Sequence, residues 1–279
     1  MQKSGKAIWP WVLGVVVIGG AGTWLFSDTL RALVDDVRVP VQASAAQGAG
    51  TKIPPVPASP ASPASAAPPS IQHPVDPRDA ADPALPALAD SDGPVFDALT
   101  ALFNGDGALA LLLRDHLVQR VVTHIDNLDT PSVPTPAMAV RALPGSLQVD
   151  TVEGTTHIAA ANAARYAPYV TAFTALDTTA AGKAYVRVYP LLQQAYAELG
   201  QPDAYFNDRL VGVIDHLLQT PEPPRPLAVT RDERGRYRFV DPALQSRSVG
   251  QKLLLRMDAG QAHAVKQQLR ALRAVLSRG

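Results

Sequence analysis

The chain has 279 residues, and its 25 lysines and arginines balance 25 aspartates and glutamates, so no global charge field selects a partner. It has no cysteine, which excludes disulfides, thiol catalysis and cysteine-ligated zinc and is compatible with the bacterial periplasm. Composition divides the chain into an apolar run with flanks up to residue 38, a Pro/Ala/Ser-rich stretch over 39–92, and a remainder of ordinary globular composition, 93–279, long enough to bury a core.

Residues Ile8 to Phe26 carry no charged side chain. As a helix this run would span about 28 Å, close to the hydrocarbon thickness of a bilayer. Trp9 and Trp11 stand at one end and Trp24 at the other, the placement of an interfacial aromatic belt. Lys3 and Lys6 precede the run, and mixed charges follow it over 27–38. The positive-inside rule therefore predicts a cytoplasmic N-terminus at 1–7, a transmembrane helix at 8–26, a juxtamembrane segment at 27–38 and a non-cytoplasmic remainder. A cleaved signal peptide ending near Gly20-Ala21-Gly22 is the competing reading, disfavoured because a discarded segment has no use for a belt. Gly14, Gly19, Gly20 and Gly22 offer a close helix-pairing face only as a secondary reading.

The 39–92 stretch is expected to be a disordered, partly extended linker, since prolines resist helices and there is little apolar bulk for a core. It carries Lys52 and Arg78 against five aspartates, a net of −3. Recognition by proline-binding modules is the functional alternative for it.

Gly93-Pro94 is expected to open a compact, mainly α, multi-helix domain with one or two short β-hairpins. Val95, Leu99 and Leu102 suit a short helix that Asn104-Gly105-Asp106-Gly107 would end. That double turn lacks the glutamate of a calcium loop and reads as a connection. Asp115 is the expected cap of a helix whose apolar face is Leu117, Val121, Ile125 and Leu128. A hairpin is predicted around Glu153-Gly154, and helix over Ala159–Leu176. Another helix follows over Thr179–Leu199, which Pro190 should kink or split. Asp203 is the expected cap of a helix with Phe206, Leu210, Val213, Ile214 and Leu217 inward. A second hairpin should join Leu227–Thr230 to Arg236–Val240 through Glu233-Arg234-Gly235. Two helices near 249–257 and 259–278 close the chain.

The segments Val122–Leu128, Arg165–Val170, Tyr189–Gly200, Tyr205–Val211, Ile214–Pro221 and Gly250–Met257, in that order, resemble bacterial envelope proteins grouped as the domain of unknown function 3014 family. The resemblance covers most of 93–279. It implies a bacterial, single-pass membrane protein and carries no activity, so no catalytic residue transfers.

Three polar groupings stand out. Asp208, Asp215 and His216 share a helix, and two carboxylates with an imidazole suit acid–base chemistry, as in an envelope or cell-wall hydrolase. No metalloprotease spacing or nucleophile turn accompanies them, and ion pairing is the ordinary reading. Arg165, Tyr166, Tyr169, Tyr189, Tyr196 and Tyr205, with Tyr185, carry the apolar bodies and polar tips that suit a ligand or partner groove, and equally a core edge. Lys252, Arg256, Lys266, Arg270 and Arg273 form a basic end expected to be a solvated surface, with anionic lipid or nucleic acid as alternatives. Nucleic acid is disfavoured outside the cytoplasm and without aromatic residues after Phe239. No metal site and no cofactor is predicted. The expected role is a non-enzymatic interaction or scaffolding module in the periplasm, at the inner membrane, whose partner is another envelope protein.

Overall fold

The computed structural model describes residues 70–76, 85–103, 109–134 and 138–278. The predicted anchor with its flanks, most of the 39–92 linker and the Asn104–Gly107 turn lie outside the described residues. Among the described residues no helix is long and apolar enough to cross a membrane.

The described residues form eight α-helices and two antiparallel hairpins, the mainly helical class expected. In chain order these are α1 (Asp92–Leu102), α2 (Leu117–Asp126), β1 (Val149–Val152), β2 (Thr155–Ile158), α3 (Ala163–Thr174), α4 (Thr178–Glu198), α5 (Phe206–Leu218), β3 (Val229–Arg231), β4 (Tyr237–Phe239), α6 (Pro242–Gln245), α7 (Val249–Arg256) and α8 (Ala259–Leu276). Helix α8 packs on α3, α4 and α5, while α2 packs on α1, α4 and α5. Their inward stripes, including Leu117, Val122, Phe173, Leu192, Phe206, Ile214, Leu217 and Leu269, make one core. The helices therefore exist because each buries an apolar face against the others.

A smaller core of Leu147, Ile158, Leu227, Val229, Phe239, Leu244 and Leu255 lies at the hairpins. Glu153 and Gly154 both have positive φ, at 50° and 77°, as a two-residue turn matched to strand twist requires. The two hairpins adjoin, with the Ile158 N–H donating to the Leu227 carbonyl at 3.0 Å.

Several helix ends are satisfied from a distance. Asp115 does not cap α2; it pairs with Arg120 at 2.7 Å. The carboxylate of Asp92, from α1, instead accepts the N–H groups of His116 and Leu117 at 2.8 and 2.7 Å. Asp203 likewise does not cap α5, which starts after Tyr205. The Phe206 N–H donates at 2.8 Å to Gln193 Oε1 on α4. By contrast, Asp177, Ser248 and Asp258 cap α4, α7 and α8 locally, the last within a capping box with Gln261.

Two further expectations change. Helix α4 is not split at Pro190; it runs unbroken from Thr178 to Glu198. Pro190 is solvent-exposed while Tyr189, Leu191 and Leu192 are buried, so the one lost backbone bond faces water and packing holds the helix together. Packed structure also begins before Gly93-Pro94, which sit in the first turn of α1. Leu88 and Val75 belong to the main core, and Leu85 packs against it half-buried. Part of the stretch expected to be linker is therefore part of the folded domain, because apolar side chains spaced among its prolines find a surface to cover.

Candidate functional site

The most distinctive site is a cleft where α4, the start of α5 and the end of α8 meet. It holds the non-helical segment Ser70–Asp76, whose backbone bends at Gln72 and His73. The Asp208 carboxylate accepts two successive backbone N–H groups, from Gln72 at 2.9 Å and His73 at 2.6 Å. The Asn207 side-chain amide donates to the His73 carbonyl at 2.9 Å. The Tyr205 hydroxyl accepts the Val75 N–H at 2.7 Å. Val75 is buried, while Ile71, Gln72, Pro74 and Asp76 are exposed. The segment is thus gripped by its main chain and one apolar anchor.

The grip is pre-built by contacts that do not involve the segment. Asn207 is fully buried. Its amide also donates to the Leu276 carbonyl at 3.0 Å, and its side-chain oxygen accepts the Tyr185 hydroxyl at 2.9 Å. The Tyr189 hydroxyl donates to Gln193 Oε1 at 2.8 Å. The rings of Tyr189 and Tyr205 tilt against each other at 5.4 Å between centroids, and Tyr185 and Tyr189 do so at 5.6 Å. Burial pushes the Tyr185 and Tyr189 hydroxyls well above the ordinary tyrosine range, so both stay neutral donors through the physiological range. Beyond Val75 and Asp76 an open cleft of about 740 Å³ continues, lined in part by Gly182, Lys183, Tyr185, Val275 and Arg278.

The tyrosine grouping is only partly one site. Tyr185, Tyr189 and Tyr205 converge there. Tyr196 packs on Phe206 at 5.4 Å, and Tyr166 is buried in α3 beside Arg165 and Arg256. Tyr169 is half-buried on the same helix as Tyr166. Arg165 binds the carbonyls of Pro144 and Gly145 at 3.2 and 3.1 Å, fastening the loop before β1.

The acid–base grouping is divided among three partners. Asp208 holds the Ser70–Asp76 segment, Asp215 pairs with Arg273, and His216 Nε2 lies 2.9 Å from Ser248 Oγ at the start of α7. Among the described residues there is no group of three or more His, Cys, Asp or Glu side chains placed to hold a metal ion.

The basic end is a solvated surface only in part. Lys252, Arg256 and Lys266 are buried. Lys266 reaches the Thr220 carbonyl at 2.6 Å and Glu222 at 2.7 Å. Arg256 lies over the Phe239 ring and donates to the carbonyls of Lys252 and Tyr237. Arg273 is half-exposed against Asp215, and Arg270 is exposed. Long stems bury readily once a carbonyl or carboxylate meets the charged head, as Thr220 and Glu222 after α5 do for Lys266 and as Lys252 on α7 and Tyr237 on β4 do for Arg256.

Sequence reasoning passed over Asn207, Gln193 and the segment 70–76. Asn207 sits beside Asp208 at a helix start, the one signal available, but its partners lie 134 and 69 positions away.

A family model described as "Protein of unknown function (DUF3014)" matches residues 117–273. No curated protein matches the chain, and no solved structure does.

Proposed function

The chain belongs to the DUF3014 family, and from that footing we propose that it is a membrane-anchored bacterial envelope protein whose helical domain is a non-enzymatic interaction module. In this reading residues 8–26 anchor it in the inner membrane, the N-terminus is cytoplasmic and the domain stands in the periplasm. Its partner is another envelope protein rather than nucleic acid, and the α4–α5 cleft is where that partner binds.

The observation that carries the reading is the cleft's grip on the backbone of a non-helical segment. A carboxylate, an amide and a hydroxyl arrayed to meet successive main-chain groups are the equipment of peptide recognition, in which the main chain supplies affinity and a pocketed side chain supplies selection. The tyrosine rings add rigid contact area at low entropic cost. The hydrolase alternative needs Asp208, Asp215 and His216 in one place, and their separate partners give it no support.

Photocrosslinking in native membranes tests the role. The full-length protein with photoreactive benzoylphenylalanine in place of Thr179, which lines the same cleft, should form a discrete adduct with a second envelope protein, and Asp208→Asn should weaken it. Only intrachain products, across growth phases, would sink the interaction reading. The absence of cysteine makes topology separately measurable. In Ser62→Cys an impermeant maleimide should reach the thiol from the periplasm, and in Ser4→Cys it should not. The reverse pattern would overturn the orientation.

A further inference from the structure

We propose that Ser70–Asp76 is a built-in stand-in for the partner, and that a peptide of the same bent course, with proline, then a β-branched aliphatic residue, then an acidic residue, displaces it from the cleft. This rests on reading the cleft as an interaction site.

The bonding register argues for the peptide class. The cleft engages the N–H groups of residues 72, 73 and 75 and the carbonyl of 73. Between positions 72 and 75 the one place where the cleft takes no N–H is 74, where this chain carries Pro74, so a proline there forfeits nothing. On the segment's side these four bonds are all made by main chain, so a second peptide of the same shape can offer the same four. Selection falls to Val75, which is 6% exposed. The next position, Asp76, opens on the cleft lined by Lys183 and Arg278, two cations suited to a carboxylate.

The packing argues for exchange. Of residues 70–76 only Val75 is buried, and Ile71 remains 55% exposed. Two of the gripping groups have partners outside the segment: Asn207 is held by Tyr185 and Leu276, and the Tyr205 ring leans on Tyr189, itself held by Gln193. The cleft therefore keeps its shape when the segment leaves. Because the segment competes from within the chain, it acts at a high effective concentration and raises the threshold a partner must exceed.

The test uses the full-length protein in detergent and a fluorescein-labelled, end-blocked peptide copying Ser70–Asp76, followed by anisotropy. Val75→Asp, which alters the occupant and not the cleft, should bind the peptide at least about tenfold more tightly than the wild type. Adding Asp208→Asn to that variant should abolish the gain, as should a peptide carrying aspartate in place of its valine. Equal affinity for wild type and Val75→Asp would overturn the proposal, and so would equal binding of the altered peptide. A shift to dimers without peptide binding would also overturn it, by assigning the cleft to a second copy's segment.

Should Val75→Asp fail to fold, hydrogen exchange on the unaltered protein decides. The amides of Gln72, His73 and Val75 should exchange at least about a hundredfold faster than those inside α4, as for a segment that opens locally. Exchange only with global unfolding would overturn the proposal. Peptide exchange without an envelope adduct at position 179 would support this inference while sinking the broader reading, and the opposite pair of results would do the reverse.

Discussion

Arg209 reaches from α5 to the end of α2, where its guanidinium pairs with Asp126 at 2.6 Å and Asp129 at 2.6 Å and also meets the Asp126 carbonyl. The hydrogen bond from Arg209 holds the Asp129 carboxyl below the usual carboxylate range. A depressed carboxylate adds stability that is fully present above its unfolded value, about 3.9, and is lost as pH falls through the lower folded value. Arg209→Met should therefore cost about 2 kcal/mol at pH 7, between the exposed and buried limits for ion pairs. That deficit should shrink below about pH 3, as urea unfolding at both pH values would show. Lys252 makes the opposite case. Burial pushes its ammonium below the ordinary lysine range, and the Pro131 carbonyl meets it only at 3.4 Å. Lys252→Met should gain about 1 kcal/mol at neutral pH. The difference should narrow as pH rises toward the ordinary lysine value of about 10.4, since the folded wild type sheds its proton first. Read along the chain, Lys252 is one more cation in a basic tail. Its burial depends on α7 packing into the molecule, so residue type alone assigns it to the surface.

Among the elements, two glycines decide how closely helices approach. A Cβ on Gly250 would stand 2.9 Å from the backbone oxygen of Leu128 and 2.5 Å from Leu217 Cδ2. The Gly250 N–H donates to that same carbonyl at 3.0 Å, so α7 cannot back away without losing a bond. Gly250→Ala should cost about 2–3 kcal/mol in chemical denaturation. On Gly182 the obstruction is a side chain, the Cγ1 methyl of Val275. Gly182→Ala should be destabilising alone, and Val275→Ala should restore most of the loss; Leu217→Ala should not rescue Gly250→Ala. The helices themselves were legible, because the stripes at Leu117–Leu128 and Phe206–Leu217 repeat at helical spacing. The hairpins were legible too, since Glu153-Gly154 and Gly235 supply the φ values their turns need. The caps of α2 and α5 were not, because Asp92 and Gln193 act across tertiary contacts and no local spacing marks them.

For the molecule as a whole, the segment 70–76 sits near thermodynamic balance. Burying Val75 contributes about 2 kcal/mol and four hydrogen bonds about 1 kcal/mol each. Fixing the backbone of the four residues from Gln72 to Val75 costs about 1–2 kcal/mol apiece, which offsets nearly all of it. Val75→Asp should therefore leave the main thermal transition within about 3 °C of the wild type, measured by circular dichroism, even as the segment detaches. A fall of more than about 10 °C would mean that the segment is an integral brace of the fold.

Whatever depends on near neighbours could be read along the chain: the helical stripes, the turn glycines, the division into apolar run, proline-rich stretch and globular remainder. These are properties of spacing and composition, and a helix or a two-residue turn senses little beyond a few positions. Where long-range partners meet is settled instead by packing. The tyrosines separate into a cleft and a core, the basic tail turns inward, and a proline-rich segment becomes the occupant of a site. Each of those outcomes rests on contacts spanning tens of positions or more, up to the 136 between Gln72 and Asp208. Such contacts form only after the helices have packed, and no pattern within either segment encodes the meeting.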